Sequence, residues 1–169
     1  MDEIPTRTPS AAPTAEPVSW AEFSAAEPAF AAEVRSVFAA AEHHVLATLR
    51  ADGSPRVSGT EVNLGGAELL LGSMPGARKA RDLQRDGRLA LHAAPGPMDT
   101  GDAKIAGAAV EVTNPEEARA LFADPGADPG ESHLFRVLIG EVVLTSVTAG
   151  RLRIRHWRPG RGLADDYRD

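Results

Sequence analysis

The sequence predicts a mainly β protein, a small and largely closed barrel of six or seven antiparallel strands with short flanking helices. Short apolar segments alternate with Gly-, Pro- and Asp-containing turns over much of the chain, and helical periodicity is confined to short stretches. The length of 169 residues fits about one domain. We place that domain at residues 20–163, between a lead-in and a short tail.

The N-terminal region predicts a disordered lead-in followed by a helix. Residues 1–19 are rich in Pro, Thr, Ala and Ser and lack the basic and apolar segments of a signal peptide. A helix is predicted from about Pro28 to His43, where the dipole favours His43 and His44 as C-terminal capping residues. Its apolar positions share one face: Phe30, Val34, Val37, Phe38 and Ala41.

Turn signals divide the following segment into four strands and a helix. Asp52-Gly53 predicts a hairpin, Pro75-Gly76 ends the third strand, and Asp86-Gly87 ends the helix. The predicted strands cover residues 45–49, 56–62, 68–73 and 88–93, and the helix covers residues 77–85.

The C-terminal part predicts three more strands and one helix. Asn114, Pro115 and Glu117 form a capping-box pattern that starts a helix running to about Phe122. The strands are predicted at residues 104–112, 133–145 and 151–157, and residues 164–169 are left as a tail.

Composition excludes several functional classes. A net charge of −6 argues against general nucleic-acid binding, and the lack of cysteine excludes disulfides and thiolate chemistry. Apolar runs are far shorter than the roughly 20 residues of a membrane span. We therefore predict a soluble cytoplasmic protein without nucleic-acid or membrane partners.

The segment from Gly76 to Arg81 predicts a local anion site. A helix N-terminus presents unpaired backbone N–H groups, and here Arg78 and Lys79 add two cations. Cations at this end oppose the helix dipole by about 0.3–1 kcal/mol, a cost that a bound phosphate would offset. The alternative is an arginine-rich, solvated surface helix.

Polar residues alternate along the second strand. Arg56, Ser58 and Thr60 share one face, which either lines a ligand groove or faces solvent. The opposite face carries Val57, Gly59 and Glu61.

The remaining motifs give weaker signals. His43 and His44 diverge by about 100° on a helix and cannot chelate one metal together, so no metal site is predicted. No catalytic triad or carboxylate pair is evident, so any chemistry would come from a cofactor. Trp157, near the C-terminus, either covers a ligand or subunit boundary or plugs the barrel end.

Together, these segments resemble the pyridoxamine 5′-phosphate oxidase-like family of split-barrel flavoproteins. The resemblance extends from about Phe30 to Trp157. The segments that carry it are residues 46–58, 68–73, 75–83 and 86–92, followed by the strand at 104–112.

The resemblance implies a homodimer of FMN-binding-type split β-barrels with FMN, or the deazaflavin F420, in a groove at the subunit interface. The resemblance implies that Arg78 and Lys79, assisted by Arg56, hold the cofactor phosphate. It implies that Val57, Ser58 and Thr60 contact the ring edge and that Ser73 and Met74 contact the ribityl chain or ring. Trp157 and Arg161 would approach from the second subunit.

The implied activity is transfer of hydride or electrons between a flavin and a small organic substrate. The tail after Trp157 lacks the family's Arg-Leu-x-Pro substrate motif, so the vitamin B6 reaction itself is not expected. One alternative is an F420-dependent reductase, although no extra basic cluster for a polyglutamate tail is apparent. Another is a non-catalytic protein that binds or senses a flavin or, as a weaker candidate, haem.

Overall fold

Four helices and eight strands form in the residues that this computed structural model describes, 15–97, 100–121 and 130–168. The helices are α1 (Trp20–Ala26), α2 (Pro28–Ala39), α3 (Arg78–Arg85) and α4 (Pro115–Leu121). The strands are β1 (His43–Leu49), β2 (Pro55–Glu61), β3 (Leu70–Ser73), β4 (Arg88–His92), β5 (Asp102–Glu111), β6 (His133–Thr148), β7 (Arg151–Arg158) and β8 (Gly162–Arg168).

The strands form one antiparallel sheet in the order β2-β1-β4-β5-β6-β7-β8, with β3 paired to β6 off this path. An isolated bridge between Asn63 and Leu70 links the end of β2 to the start of β3, so the sheet curls back on itself. The predicted mainly β class is confirmed. The described residues form eight strands rather than the predicted six or seven, because β8 was not predicted.

Strand β8 replaces most of the predicted tail. After Trp157 the chain turns and pairs back onto β7, with Arg153 opposite Tyr167 and close to Asp165. The Arg153 guanidinium donates three hydrogen bonds to Asp165, at 2.9, 3.2 and 2.5 Å. These polar side chains hide the strand pattern in the sequence, and the ion pair links the two strands of the edge hairpin.

The predicted capping role of His43 and His44 is wrong. Helix α2 ends at Ala39 and β1 begins at His43, because these residues pair with the end of β2. His44 is buried against the Phe38 ring, with centroids 5.0 Å apart. Its Nδ1 accepts the Ala94 N–H at 3.1 Å, and burial lowers the pKa of its imidazole.

Helix α1 was not predicted, although its start signal is in the sequence. Ser19 and Glu22 form a capping box in which each side chain binds the other's backbone N–H. Val18, placed in the predicted lead-in, exchanges backbone hydrogen bonds with Ile139 at 3.0 and 2.7 Å. Residues 1–14 of that lead-in lie outside the described residues.

The main core lies between α1, α2 and one face of the sheet. Trp157, only 4% exposed, packs on the Phe23 ring with centroids 4.7 Å apart. Of the two alternatives predicted for Trp157, this arrangement corresponds to the one in which its side chain plugs the end of the barrel. A smaller cluster packs beneath α4. Among the described helices, none has the length and apolar character needed to cross a bilayer.

Candidate functional site

The site is organised around the first turn of α3, where β3 gives way to the helix. Gly76 adopts a φ of +71°, a conformation that favours glycine, and so turns the chain into the helix. Ala77 occupies the N-cap without a side-chain cap, and the first helical bond runs from Arg81 N–H to Ala77 at 3.2 Å. Within the part of the chain that the structure describes, the N–H groups of the first turn therefore have no side-chain cap, as an anion site requires.

A groove of about 950 Å³ opens on one side of this turn, between the end of α2, the end of β2 and strand β3. This volume lies within the range of pockets that hold cofactor-sized ligands. Its apolar wall includes Phe38, Val62, Leu64, Leu70 and Leu134. Its polar lining includes Thr60, Asn63, Ser73 and Lys79.

Two of these polar residues bear directly on ligand binding. The Ser73 Oγ is buried and finds no hydrogen-bond partner among the described residues, a condition that a polar ligand would relieve. The Lys79 Nζ donates to the Gly59 carbonyl oxygen at 2.9 Å, which ties α3 to β2. Burial lowers the pKa of Lys79, while the nearby Glu61 carboxylate acts in the opposite direction.

A second cleft, of about 380 Å³, lies on the other side of α3. Its charged lining consists of Arg50, Arg56, Arg78, Arg81, Arg85, Asp52 and Asp82. Arginines outnumber aspartates five to two, so the cleft is a local cationic site on an acidic protein.

Asp82 organises the arginines of this cleft. Its side chain is buried, with the residue 3% exposed, and it accepts hydrogen bonds from Arg56 Nε at 2.6 Å, Thr48 Oγ1 at 2.9 Å and Arg85 at 3.1 Å. Burial alone would raise the pKa of Asp82, but these bonds outweigh it and lower the pKa to about 2. The ionised carboxylate thus fixes the Arg56 guanidinium at the cleft wall.

Helix α3 separates the two spaces, because consecutive residues of its first turn line different ones. Arg78 is exposed and lines the cleft, whereas the half-buried Lys79 lines the groove. A ligand with a phosphate at this turn can therefore meet both cations while its remaining part lies in the groove.

The structure divides the residues predicted to bind a cofactor. Thr60, Ser73, Met74 and Lys79 line the groove, and Arg56 and Arg78 line the cleft. Along β2, Arg56, Ser58 and Thr60 turn inward, so the solvent-facing interpretation of this polar face is wrong.

The other predicted contacts lie elsewhere. Ser58 is half-buried and lines neither space, while Val57 points outward and is 72% exposed. Arg161 is exposed in the turn between β7 and β8. Trp157 belongs to the core of its own chain, and this burial does not fit the predicted contact with a cofactor of a second subunit.

Sequence reasoning missed several charged residues of the site. The absence of an extra basic cluster was a wrong prediction, because Arg50, Arg81 and Arg85 extend the cleft. A signal was present: positions 78, 81, 82 and 85 have the spacing of one helix face. The Asp52-Gly53 hairpin then brings Arg50 beside this face.

The curled antiparallel sheet with its groove beside α3 has the architecture of a split-barrel protein. The family model for pyridoxamine 5′-phosphate oxidase matches residues 30–158, most of the chain. The protein belongs to this family. No curated protein matches the chain significantly.

Solved structures support the same fold. PhzG from Burkholderia lata 383, in complex with tetrahydrophenazine-1-carboxylic acid, is 14% identical with a TM-score of 0.61, covering 88% of this chain and 92% of its own. A haem-binding protein from Mycobacterium smegmatis is 23% identical with a TM-score of 0.55, covering 79% of this chain and 56% of its own. An F420 reductase is 20% identical with a TM-score of 0.51, and the match covers 64% of this chain and 94% of the reductase.

Proposed function

We propose that this protein binds FMN at the first turn of α3 and acts as an oxidoreductase on a small organic molecule. The observation that carries the proposal is the position of Arg78 and Lys79, which are adjacent in sequence but face the cleft and the groove, respectively. They bracket the uncapped N–H groups of the helix, the combination that a phosphate prefers. Family membership adds that flavin binding is common among relatives.

The chain's own residues account for the rest of the proposed binding mode. Arg56, held by Asp82, would assist Arg78 on the phosphate. Thr60 and the unpartnered Ser73 Oγ would meet the polar parts of the ribityl chain or ring, and exposed Met74 would cover it from the rim. FMN supplies hydride or electron transfer when bound, and the apolar groove wall would exclude water from its ring.

The direct test is the visible spectrum of freshly purified protein, followed by titration with FMN. The proposal expects a two-band flavin spectrum, or saturable quenching of FMN fluorescence by colourless protein. A Soret band would indicate haem instead. A colourless protein that shows no saturable FMN binding would refute the proposal.

F420 is a second candidate, favoured by the five arginines of the cleft. Its phosphate would occupy the same helix turn, and its anionic polyglutamate tail could lie along Arg81 and Arg50. A titration with F420 beside FMN at matched ionic strength separates the two, because tail binding would weaken steeply with added salt.

We also propose that the protein forms a homodimer through the face of the sheet that carries Val57. The strand register places Val57, Ala47, Ala90 and Ala106 in one row across β2, β1, β4 and β5. All four residues are apolar and at least partly exposed. An apolar sheet face of this kind is stable in water when a second copy covers it. The cofactor groove adjoins this face, since Gly59 on the same strand lines it.

The substitution Val57→Arg is expected to convert the dimer to a monomer, because it places a charge in this row at a residue that is 72% exposed. Light scattering coupled to size-exclusion chromatography measures the mass directly. Val147→Arg is the matched control, since Val147 is 41% exposed but lies on β6, away from the row. A wild-type monomer, or a Val57→Arg dimer of unchanged stability, would contradict the proposed interface.

A further inference from the structure

Three metal-ligating side chains converge at the rim of the groove, apart from the proposed cofactor contacts. Glu42, His43 and Glu61 each offer one ligand atom, and these atoms lie within 4.8 Å of one another. The His43 Nε2 and Glu61 Oε1 atoms are 3.8 Å apart. All three residues also line the groove, so a ligand bound there has direct access to them.

The fold, rather than a loose loop, brings these groups together. His43 and Glu61 are directly opposite in the β1–β2 register, which fixes their side chains on the same face of the sheet. Glu42 precedes the strand in a bend, so strand alternation does not force its side chain to the opposite face. Sites based on strands hold their ligands more accurately than sites on loops.

The negative charge of this cluster favours binding of a cation. One oxygen from each of the two carboxylates and one imidazole nitrogen lie within 4.8 Å of one another, and the two like charges repel at this separation. Lys79 lies close enough to Glu61 for their charges to interact, but its Nζ donates its hydrogen bond to the Gly59 carbonyl oxygen. The side chains of His43 and Glu61 are each 71% exposed, which gives an incoming ion free access and allows small adjustments towards bonding distance.

We propose that Glu42, His43 and Glu61 bind a divalent transition-metal ion, with Zn²⁺ as the best match. One imidazole nitrogen and two carboxylate oxygens form a donor set that suits Zn²⁺ better than Mg²⁺ or Ca²⁺, which prefer oxygen ligands alone. Three protein ligands leave at least one coordination position for an outside group. Because the cluster lines the groove, that position is available to a carboxylate or carbonyl oxygen of a molecule bound there.

The test is a calorimetric titration of the untagged, EDTA-treated, flavin-free full-length protein with ZnCl₂. We expect one saturable site per chain. His43→Ala and Glu61→Gln should each weaken binding by at least about tenfold, since even changes to groups behind the ligands have effects of this size. The control is His156→Ala, because His156 is also solvent-accessible and its Nδ1 lies 3.8 Å from an Asp166 carboxylate oxygen.

Two results would overturn the proposal: no saturable uptake by the wild type up to about 1 mM Zn²⁺, or equal loss of binding in His156→Ala and His43→Ala. Co²⁺ substitution gives a second readout, since its visible absorption bands depend on bound nitrogen and oxygen ligands and should disappear in His43→Ala. Glu61→Gln keeps the shape of the side chain, so a folded ligand-deficient variant is available. The outcome does not depend on whether FMN binds.

Discussion

Replacing Arg78 and Lys79 together with alanine is expected to weaken FMN binding by about 3–6 kcal/mol, or roughly 10²- to 10⁴-fold in Kd. Each cation would donate a charge-assisted hydrogen bond to the phosphate, and each such bond contributes about 1.5–3 kcal/mol. Fluorescence titration of flavin-free protein measures the change. The loss should shrink at high salt, because Arg78 is exposed to solvent.

A charge-matched control separates phosphate contact from a general electrostatic effect. Arg119 on α4 and Arg168 on β8 are both exposed and line neither the groove nor the cleft. Changing both to alanine removes the same two charges, and FMN affinity should stay close to that of the wild type. The proposal that the phosphate binds at this turn would be contradicted by either of two results: equal weakening of FMN binding in the two double variants, or undiminished FMN binding by Arg78→Ala/Lys79→Ala.

The second large effect is expected from Gly107→Ala, which should destabilise the protein by more than about 4 kcal/mol or prevent folding. Gly107 lies at the β-bulge where the pairing of β5 and β6 shifts register. A Cβ atom there would stand 1.9 Å from the Leu138 carbonyl oxygen, a separation that backbone atoms can relieve only by breaking the local pairing. Urea unfolding followed by circular dichroism measures the loss.

Gly140, across the same bulge, provides the control. Its added Cβ would meet the Ala106 carbonyl oxygen at 3.5 Å, an ordinary contact. Gly140→Ala should therefore change the free energy of unfolding by less than about 1 kcal/mol, with a small gain from reduced freedom of the unfolded chain. Similar stabilities for the two variants would show that the bulge can rearrange at little cost.

The sequence predicted the parts of the fold that have strong local signals. Asp52-Gly53 marks the β1–β2 hairpin, and Pro75-Gly76 marks the start of α3. The helix end before His43 has no such marker, since residues 39–42 include neither glycine nor proline. Only pairing with β2, a contact between segments distant in sequence, determines that His43 and His44 belong to a strand.

The sequence predicts the cations of the site, but not that helix α3 divides the site into two separate spaces. Arg56, Arg78 and Lys79 were visible as basic residues near one turn, yet the sequence does not reveal that α3 separates a groove from a cleft. The burial of Asp82 is also hidden, because an aspartate between arginines in a polar helix looks like a surface residue. Its role depends on Thr48 and Arg56 from two strands, which meet it only after the sheet forms.

The 16-residue strand β6 couples the regions that α3 and the C-terminal hairpin occupy. Its first residues pair with β3, the strand that leads into α3, and its last residues pair with β7, while β5 runs along its other edge. Neither region can come apart without fraying the shared strand. Heat or denaturant should therefore unfold both regions in a single cooperative step. A destabilising substitution in the distant hairpin should then also weaken ligand binding in the groove.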